Sequence, residues 1–379
     1  MRKLIALLLC CLLPVGCLST VDVGDCIYVL SFGIERGETY AYRIVLLAAL
    51  PEAGSEEGAT LKTEVLSAEA RTLFEAIETL NAGLPLTLRF SRTGLILLSE
   101  PLAREGALKE ILDFSLGALD ISWNVRIMVA SGALSELYEG VQSDADPAFS
   151  KTMKNIERLA EQSGTIVDAH CRTVRESFGT DTFDLVLPYL CSAQEPEQDA
   201  VGGEVYPKIG GALVQKSLLE TSLIGSAVFC GDMMCGTLSG RHTQLVGMVT
   251  GEFCTGRMPF YHPDHGMLSV QLTARRSPRI RFDQMRASVT VTLDAETEFP
   301  LLKTEGDEAL TDWLRTRLEA ELSETFAALH SLGSDAMQLG TRDVLRRPLE
   351  RERDWKPQYE QLSVSFSVNL RLLHAGGTA

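Results

Sequence analysis

Hydrophobic and polar positions alternate most cleanly in the last third of the chain. Leu362, Val364, Phe366, Val368 and Leu370 occupy every second position of Gln361–Leu373, the period of a strand with one buried face. Leu268–Thr273 and Ala287–Leu293 alternate in the same way. Before the last strand, Leu310, Leu314, Leu318, Leu322 and Phe326 recur at four-residue steps. This stripe predicts a long helix over Glu308–Leu332, ended by Gly333. A second helix is predicted over Ala336–Leu345, so the C-terminal order reads β-β-α-α-β.

The first half mixes both periods. Cys26–Ile34 is a nearly continuous apolar run, Arg36-Gly37-Glu38 a turn, and Tyr40–Leu50 a returning strand. Pro51–Gly58 reads as a loop, and Ser67 as the N-cap of a helix to Asn81 with Leu73, Ile77 and Leu80 on one face. Leu86–Phe90, Leu95–Leu98 and Val125–Ala130 read as strands. Pro101 opens a helix striped by Leu108, Ile111, Leu112 and Leu119, and Pro147–Gln162 is a further helix. The polar Gln194–Gly203 stretch reads as an exposed crossing between regions. Gly225–Leu238 is a hairpin around Gly231–Met234, followed by a short helix over Thr243–Met248. These elements predict an α+β chain with mixed sheets packed by helices. We divide it into an N-terminal α/β domain (26–204), a small middle domain with the hairpin (205–262) and a C-terminal α+β domain (263–379).

The N-terminus follows a different logic. Arg2 and Lys3 precede ten apolar residues, Leu4–Leu13, too few to cross a bilayer but suited to a signal peptide. That run leads into Leu13-Pro14-Val15-Gly16-Cys17, which resembles a lipobox, with small Gly16 before the cysteine. Residues 1–16 are thus expected to be a lipoprotein signal peptide, Cys17 the diacylglyceryl-modified residue, and 17–25 a lipid-anchored tether. Pro14 departs from the pattern, since an aliphatic residue usually stands three places before the cysteine.

Composition, with 45% hydrophobic and 23% charged residues, permits an ordinary packed core. The net charge of −16 disfavours general nucleic-acid binding, because such a surface repels phosphate backbones. Beyond the leader and Cys17, six cysteines remain at irregular spacing. Cys230 and Cys235 flank the hairpin loop and could pair across two strands, or remain small buried hydrophobes like the others.

Catalytic and cofactor constellations are scarce. The chain has no Gly-x-Ser-x-Gly elbow, no His-Glu-x-x-His, no P-loop and no dinucleotide fingerprint, and no cofactor or metal is implied. His262-Pro263-Asp264-His265, eight residues after Cys254, reads as a polar turn rather than a zinc site. Asp294, Glu296 and Glu298 read as one solvated strand face. Arg275, Arg276, Arg279, Arg281 and Arg286 form a basic cluster in an acidic chain, open to anionic headgroups or an acidic partner. Trp313 falls on the apolar stripe of the long helix. Trp355 stands in a loop, either plugging a sheet edge or meeting a partner; with Arg275, Arg276 and Arg279 it completes a candidate partner surface.

Several segments, taken in order, resemble one known family. They are Val21–Gly37 after the lipobox cysteine, Gly225-Ser226-Ala227-Val228-Phe229, Asp232–Leu238, the long helix, Ser334-Asp335, the helix to Arg347, and Trp355-Lys356 before the last strand. Together they are similar to the Ger(x)C lipoproteins, the C subunits of spore germinant receptors. The chain departs from the family at Glu35, where Asp is usual, at Met233-Met234-Cys235, and at Leu119-Asp120, which lacks a preceding arginine although Arg126 remains. The resemblance implies a three-domain α+β lipoprotein on the outer face of the inner spore membrane. It would work without covalent chemistry beside integral-membrane A and B subunits that respond to nutrients. The competing expectation is a membrane-anchored solute-binding lipoprotein that holds a small nutrient in an interdomain cleft.

Overall fold

The computed structural model describes residues 26–51, 61–142, 155–156, 158, 160–192, 198–201, 204–207, 221–297, 307–346 and 355–373. Its first sheet begins with three antiparallel strands, β1 (Cys26–Glu35), β2 (Tyr42–Pro51) and β3 (Leu61–Ala70). After α1 (Leu73–Gly83) come β4 (Thr87–Arg89) and β5 (Leu95–Ser99), both parallel to β1. Two short helices, α2 (Glu100–Arg104) and α3 (Leu108–Gly117), lead to β6 (Arg126–Ala130), parallel to β5. Then α4 (Leu134–Gln142) and α5 (Cys171–Phe178) precede β7 (Val186–Ser192), parallel to β6. β8 (Gln198–Val201) and β9 (Glu204–Pro207) form a separate pair.

The hairpin of β10 (Thr221–Cys230) and β11 (Met233–Leu238) joins β7, which gives the order β11-β10-β7-β6-β5-β1-β2-β3 with β4 beside β1. β1 and β5 can lie at the centre because nearly every one of their side chains is buried, so both faces of the sheet can be covered. One face holds Phe32, Ile44, Ile96 and Ile127 against α1, α2, α3 and α5. The other holds Val45, Leu47, Leu97 and Met128 against α4, Ile156 and Ile166.

A second, four-stranded sheet follows α6 (Gly240–Thr250). It contains β12 (Thr255–His262), β13 (Gly266–Asp283), β14 (Arg286–Thr297) and, parallel to β14, the terminal β15 (Ser363–Leu373). The long α7 (Asp307–Ser331), α8 (Leu339–Arg346) and α9 (Trp355–Tyr359) come between β14 and β15. The four-residue stripe of α7 is buried as expected, with Leu314, Leu318 and Leu322 at 0% exposure. Each such leucine contributes about 1.5–3 kcal/mol relative to an exposed position. The C-terminal order therefore gains one strand, β12, and a third short helix over the expected β-β-α-α-β.

Several expectations are corrected. Ser67 caps no helix; it lies in β3, opposite Val45. The cap is Thr72, whose Oγ1 accepts from Glu75 N at 3.1 Å while the Glu75 carboxylate accepts from Arg71 N at 3.1 Å, a near-reciprocal capping box. The helix from Pro101 is broken at Gly106, whose φ of 82° only glycine adopts easily. β8 occupies part of the expected crossing at Gln194–Gly203. The stretch 205–262 is shared between the two sheets: its hairpin extends the first, its α6 packs into the second core, and β12 opens the second sheet. The Pro51–Gly58 loop after Pro51 and the first half of the Pro147–Gln162 helix lie outside the described residues.

Candidate functional site

The densest polar cluster lies where the two sheets meet. Asp184, just before β7, and Asp335, between α7 and α8, are 6% and 2% exposed. Their backbones and side chains interlock. Asp335 N donates to Asp184 Oδ2 at 2.9 Å, and Asp184 N donates to Asp335 O at 3.3 Å. Asp184 Oδ1 also accepts from Gly231 N in the β10–β11 turn at 2.9 Å, with Lys356 Nζ 3.7 Å away.

Three donors converge on the Asp335 carboxylate: Leu339 N at 3.0 Å, Gly340 N at 2.8 Å and Trp355 Nε1 at 2.8 Å. These bonds favour the ionised form. Burial nevertheless dominates, and with Asp184 nearby it pushes the carboxyl up to about 7. Around this pair, Asp181 Oδ2 accepts from Trp355 N, Ser334 Oγ donates to Phe229 O, and Tyr359 OH donates to Ser334 O. Gly340 is required by space, since a Cβ there would meet Thr182 O and sit 2.6 Å from the Trp355 ring. The arrangement offers no reacting group an open approach; it fixes one body against the other.

A crevice beside the junction is lined by Asp168, Asp184, Val246, Thr250, Glu252 and Gln338, among others. Its cavity volume is about 30 Å³, room for one or two waters. Glu252, exposed at this crevice, is pushed up chiefly by the protein around it and further by Asp168, against a Thr250 hydrogen bond.

A second buried connection joins α6 to α7. Arg241 and Glu321 are 5% and 1% exposed and form a two-bond fork at 2.8 Å each. Arg241 Nη1 also donates to Pro259 O, its guanidinium lies 4.6 Å from the Phe260 ring centre, and Arg317 Nε adds a bond to Glu321 Oε1 at 2.9 Å. Sequence reasoning missed both connections. Asp184 stands 151 residues from Asp335, and Arg241 stands 80 from Glu321. The only available signal was a charged residue at a core position: Glu321 stands directly before Leu322 of the apolar stripe.

Other residues singled out in the sequence scatter. Cys17 lies outside the described residues. Trp355 is 4% exposed and opens a helix rather than standing in a loop, so the packing role holds and it offers nothing to a partner. Arg275 is drawn to Asp294, 3.5 Å away, whereas Arg276 and Arg279 are exposed. Asp294 is not merely solvated, because Arg371 grips both its oxygens at 2.9 Å; Glu298 lies outside the described residues. His262, the last residue of β12, stacks on His265 at the β12–β13 turn, with the rest of β12 between it and Cys254.

Cys230 and Cys235 form a disulfide with their Cα atoms 5.9 Å apart. The hairpin loop is two residues, Gly231-Asp232, not four. A bulge between Val228 and Phe229 leaves Cys235 without a cross-strand partner and brings it round to Cys230.

Two family models match this chain. A spore germination protein N-terminal domain covers residues 19–191, and a spore germination B3/GerAC-like C-terminal domain covers 224–376. The chain belongs to the Ger(x)C family of spore germination proteins. The crystal structure of the GerBC protein matches with a TM-score of 0.53 at 12% identity, over 90% of this chain and 97% of that one. At that identity the likeness speaks for the fold alone. No curated protein matches the chain.

The segments that carry the Ger(x)C resemblance now have physical roles. Ser334-Asp335 and Trp355-Lys356 are two arms of the junction, and the β10–β11 turn supplies a third. Glu35, where the family usually has Asp, is buried and accepts from Leu134 N at 2.8 Å at the start of α4. An acid is favoured at that position by the positive end of the helix. Arg126 forks onto Asp168, with its Nε bond at 2.8 Å.

Proposed function

We propose that this protein is the lipid-anchored C subunit of a nutrient germinant receptor and acts in receptor assembly and signalling without catalysing a reaction. One observation carries the reading. The two family-matched stretches span most of the chain and begin two residues after Cys17, the cysteine of the lipobox-like Leu13–Cys17. In this reading residues 1–16 are removed, Cys17 carries the lipid, and the folded body sits on the outer face of the inner spore membrane. There it meets integral-membrane A and B subunits. Among the described residues no helix is long and apolar enough to cross a membrane, so attachment falls to the acyl chains in this account.

The buried junction supports a subunit that transmits a contact rather than performing chemistry. Two bodies tied by interlocked main-chain and carboxylate hydrogen bonds move as one, so force or contact at one sheet reaches the other. The solute-binding alternative gains nothing from the junction crevice. Its cavity of about 30 Å³ falls well below the roughly 300–1,000 Å³ of small-molecule pockets.

Cys17→Ala tests the proposal. The variant should fold normally, leave the membrane fraction and lose the germination response. Normal germination with the variant in the soluble fraction would sink it.

A further inference from the structure

The outward face of the second sheet carries an ordered basic grid that the family assignment does not explain. Cross-strand neighbours share a face, so the register fixes its composition. Three rows run across β13, β14 and β15: Arg281–Ser288–Ser365, Arg279–Thr290–Ser367 and Arg276–Thr292–Asn369. The opposite face is turned to the core, where Val289, Val291 and Val368 are buried. All three arginines are exposed, and among the described residues none has an ion-pair partner.

That lack of partners is unexpected in a chain with 51 acidic and 35 basic residues. Elsewhere arginines find carboxylates readily, as Arg36 does with Glu105, Arg104 with Glu100, Arg175 with Asp113 and Arg371 with Asp294. The nearest acids do not cancel the grid. Asp294 is held by Arg275 and Arg371, and Asp283 stands opposite a further arginine, Arg286.

We propose that this grid docks on an anionic phospholipid surface by binding headgroup phosphates. Guanidinium groups grip phosphate oxygens in two-bond forks, and the hydroxyls of Ser288 and Thr292 beside them add donors, while those of Thr290, Ser365 and Ser367 bond within the sheet. Successive rows lie about 7 Å apart and strands about 4.8 Å apart, which makes a flat plate rather than a pocket. The plate also lacks what a protein interface needs at its centre. Ser288, Thr290, Thr292, Ser365, Ser367 and Asn369 supply no aromatic or aliphatic anchor. This leaves a headgroup layer as the fitting partner. The docking is independent of the tether.

Co-sedimentation with vesicles tests this on a chain starting at Leu18, which keeps every described residue and both family-matched stretches but no lipid. It should bind phosphatidylcholine vesicles containing phosphatidylglycerol, bind pure phosphatidylcholine far less, and release as salt is raised. Each guanidinium should contribute about fivefold to partitioning, so the triple variant R276Q/R279Q/R281Q should lose roughly a hundredfold. The Arg→Lys triple variant keeps the charge but not the forks, so it should bind more weakly than wild type and far more tightly than the glutamine variant, which separates lost charge from lost fold. Arg315→Gln, a charge change on α7 outside the grid, should shift it little. Equal binding to neutral vesicles, undiminished binding by the glutamine variant, or binding to an acidic peptide but not to anionic vesicles would each overturn the proposal. So would release by free glycerol phosphate at concentrations that leave ionic strength unchanged, because that would mark a soluble anion as the ligand.

Discussion

Replacing Asp335 by Asn removes one titrating group from the centre of the junction while leaving its size almost unchanged. In the folded protein burial, aided by Asp184, pushes this carboxyl up to about 7, against an ordinary value of 3.8. Between those two values the folded state keeps its proton and the unfolded chain releases it. A raised carboxyl therefore stabilises fully below the unfolded value, and that contribution is lost as pH rises through about 7. The gap of about three pH units corresponds to roughly 4 kcal/mol.

The amide introduced by D335N does not titrate, so the stability difference between wild type and variant isolates this contribution. A fixed loss is added at every pH. The new amide must turn its NH₂ toward some of the donors from Leu339, Gly340 and Trp355, and each buried donor left unpaired costs about 1–3 kcal/mol. Urea unfolding followed by circular dichroism and by tryptophan fluorescence, at intervals from pH 4 to pH 8, measures both terms. Wild type should exceed D335N by the most near pH 4, and the excess should shrink toward pH 8. An excess that stays flat, or grows with pH, would show that the three donors hold Asp335 ionised and that burial does not govern this site.

Three further outcomes follow from the same contacts. Gly340→Ala should lower the melting temperature through a loss of about 1–3 kcal/mol, because its new methyl group meets Thr182 O and the Trp355 ring; an unchanged melt would mean that α8 shifts freely. Arg241→Ala leaves Glu321 buried with Arg317 alone and should lose about 3–5 kcal/mol, whereas Arg241→Met paired with Glu321→Leu should recover most of it, as read by denaturant midpoints. Replacing Cys230 and Cys235 together by Ser should cost no more than about 2 kcal/mol, because the closed loop is short and the ladder already holds it; a larger loss in thermal unfolding would contradict that account.

What the sequence disclosed depended on how local the cause was. The α7 stripe and the alternation in β15 are written into neighbouring residues, and both elements appear within two residues of their expected limits. The start of α1 departs from expectation for a physical reason. Leu66 precedes Leu73, Ile77 and Leu80 at helix-compatible spacing, yet Thr63–Ala70 is held extended by pairing with β2, which no local window contains. Alternation alone ends β13 near Thr273, because its outward arginines break the simple pattern. In the sheet two register shifts absorb that break and the strand runs on to Asp283.

The junction was hidden more deeply. Asp184 and Asp335 lie 151 positions apart, and each alone reads as an ordinary polar loop residue. A buried carboxylate is recognisable only by the donors around it, and here those come from the β10–β11 turn, the start of α8 and the indole of Trp355. The family resemblance did pick out Ser334-Asp335 and Trp355-Lys356, but as separate marks in a row. Three-dimensional closure makes them one object, in which a tryptophan that looked like a candidate partner contact is spent inside, holding the carboxylate of the residue whose backbone bonds to Asp184 and so joins the two sheets.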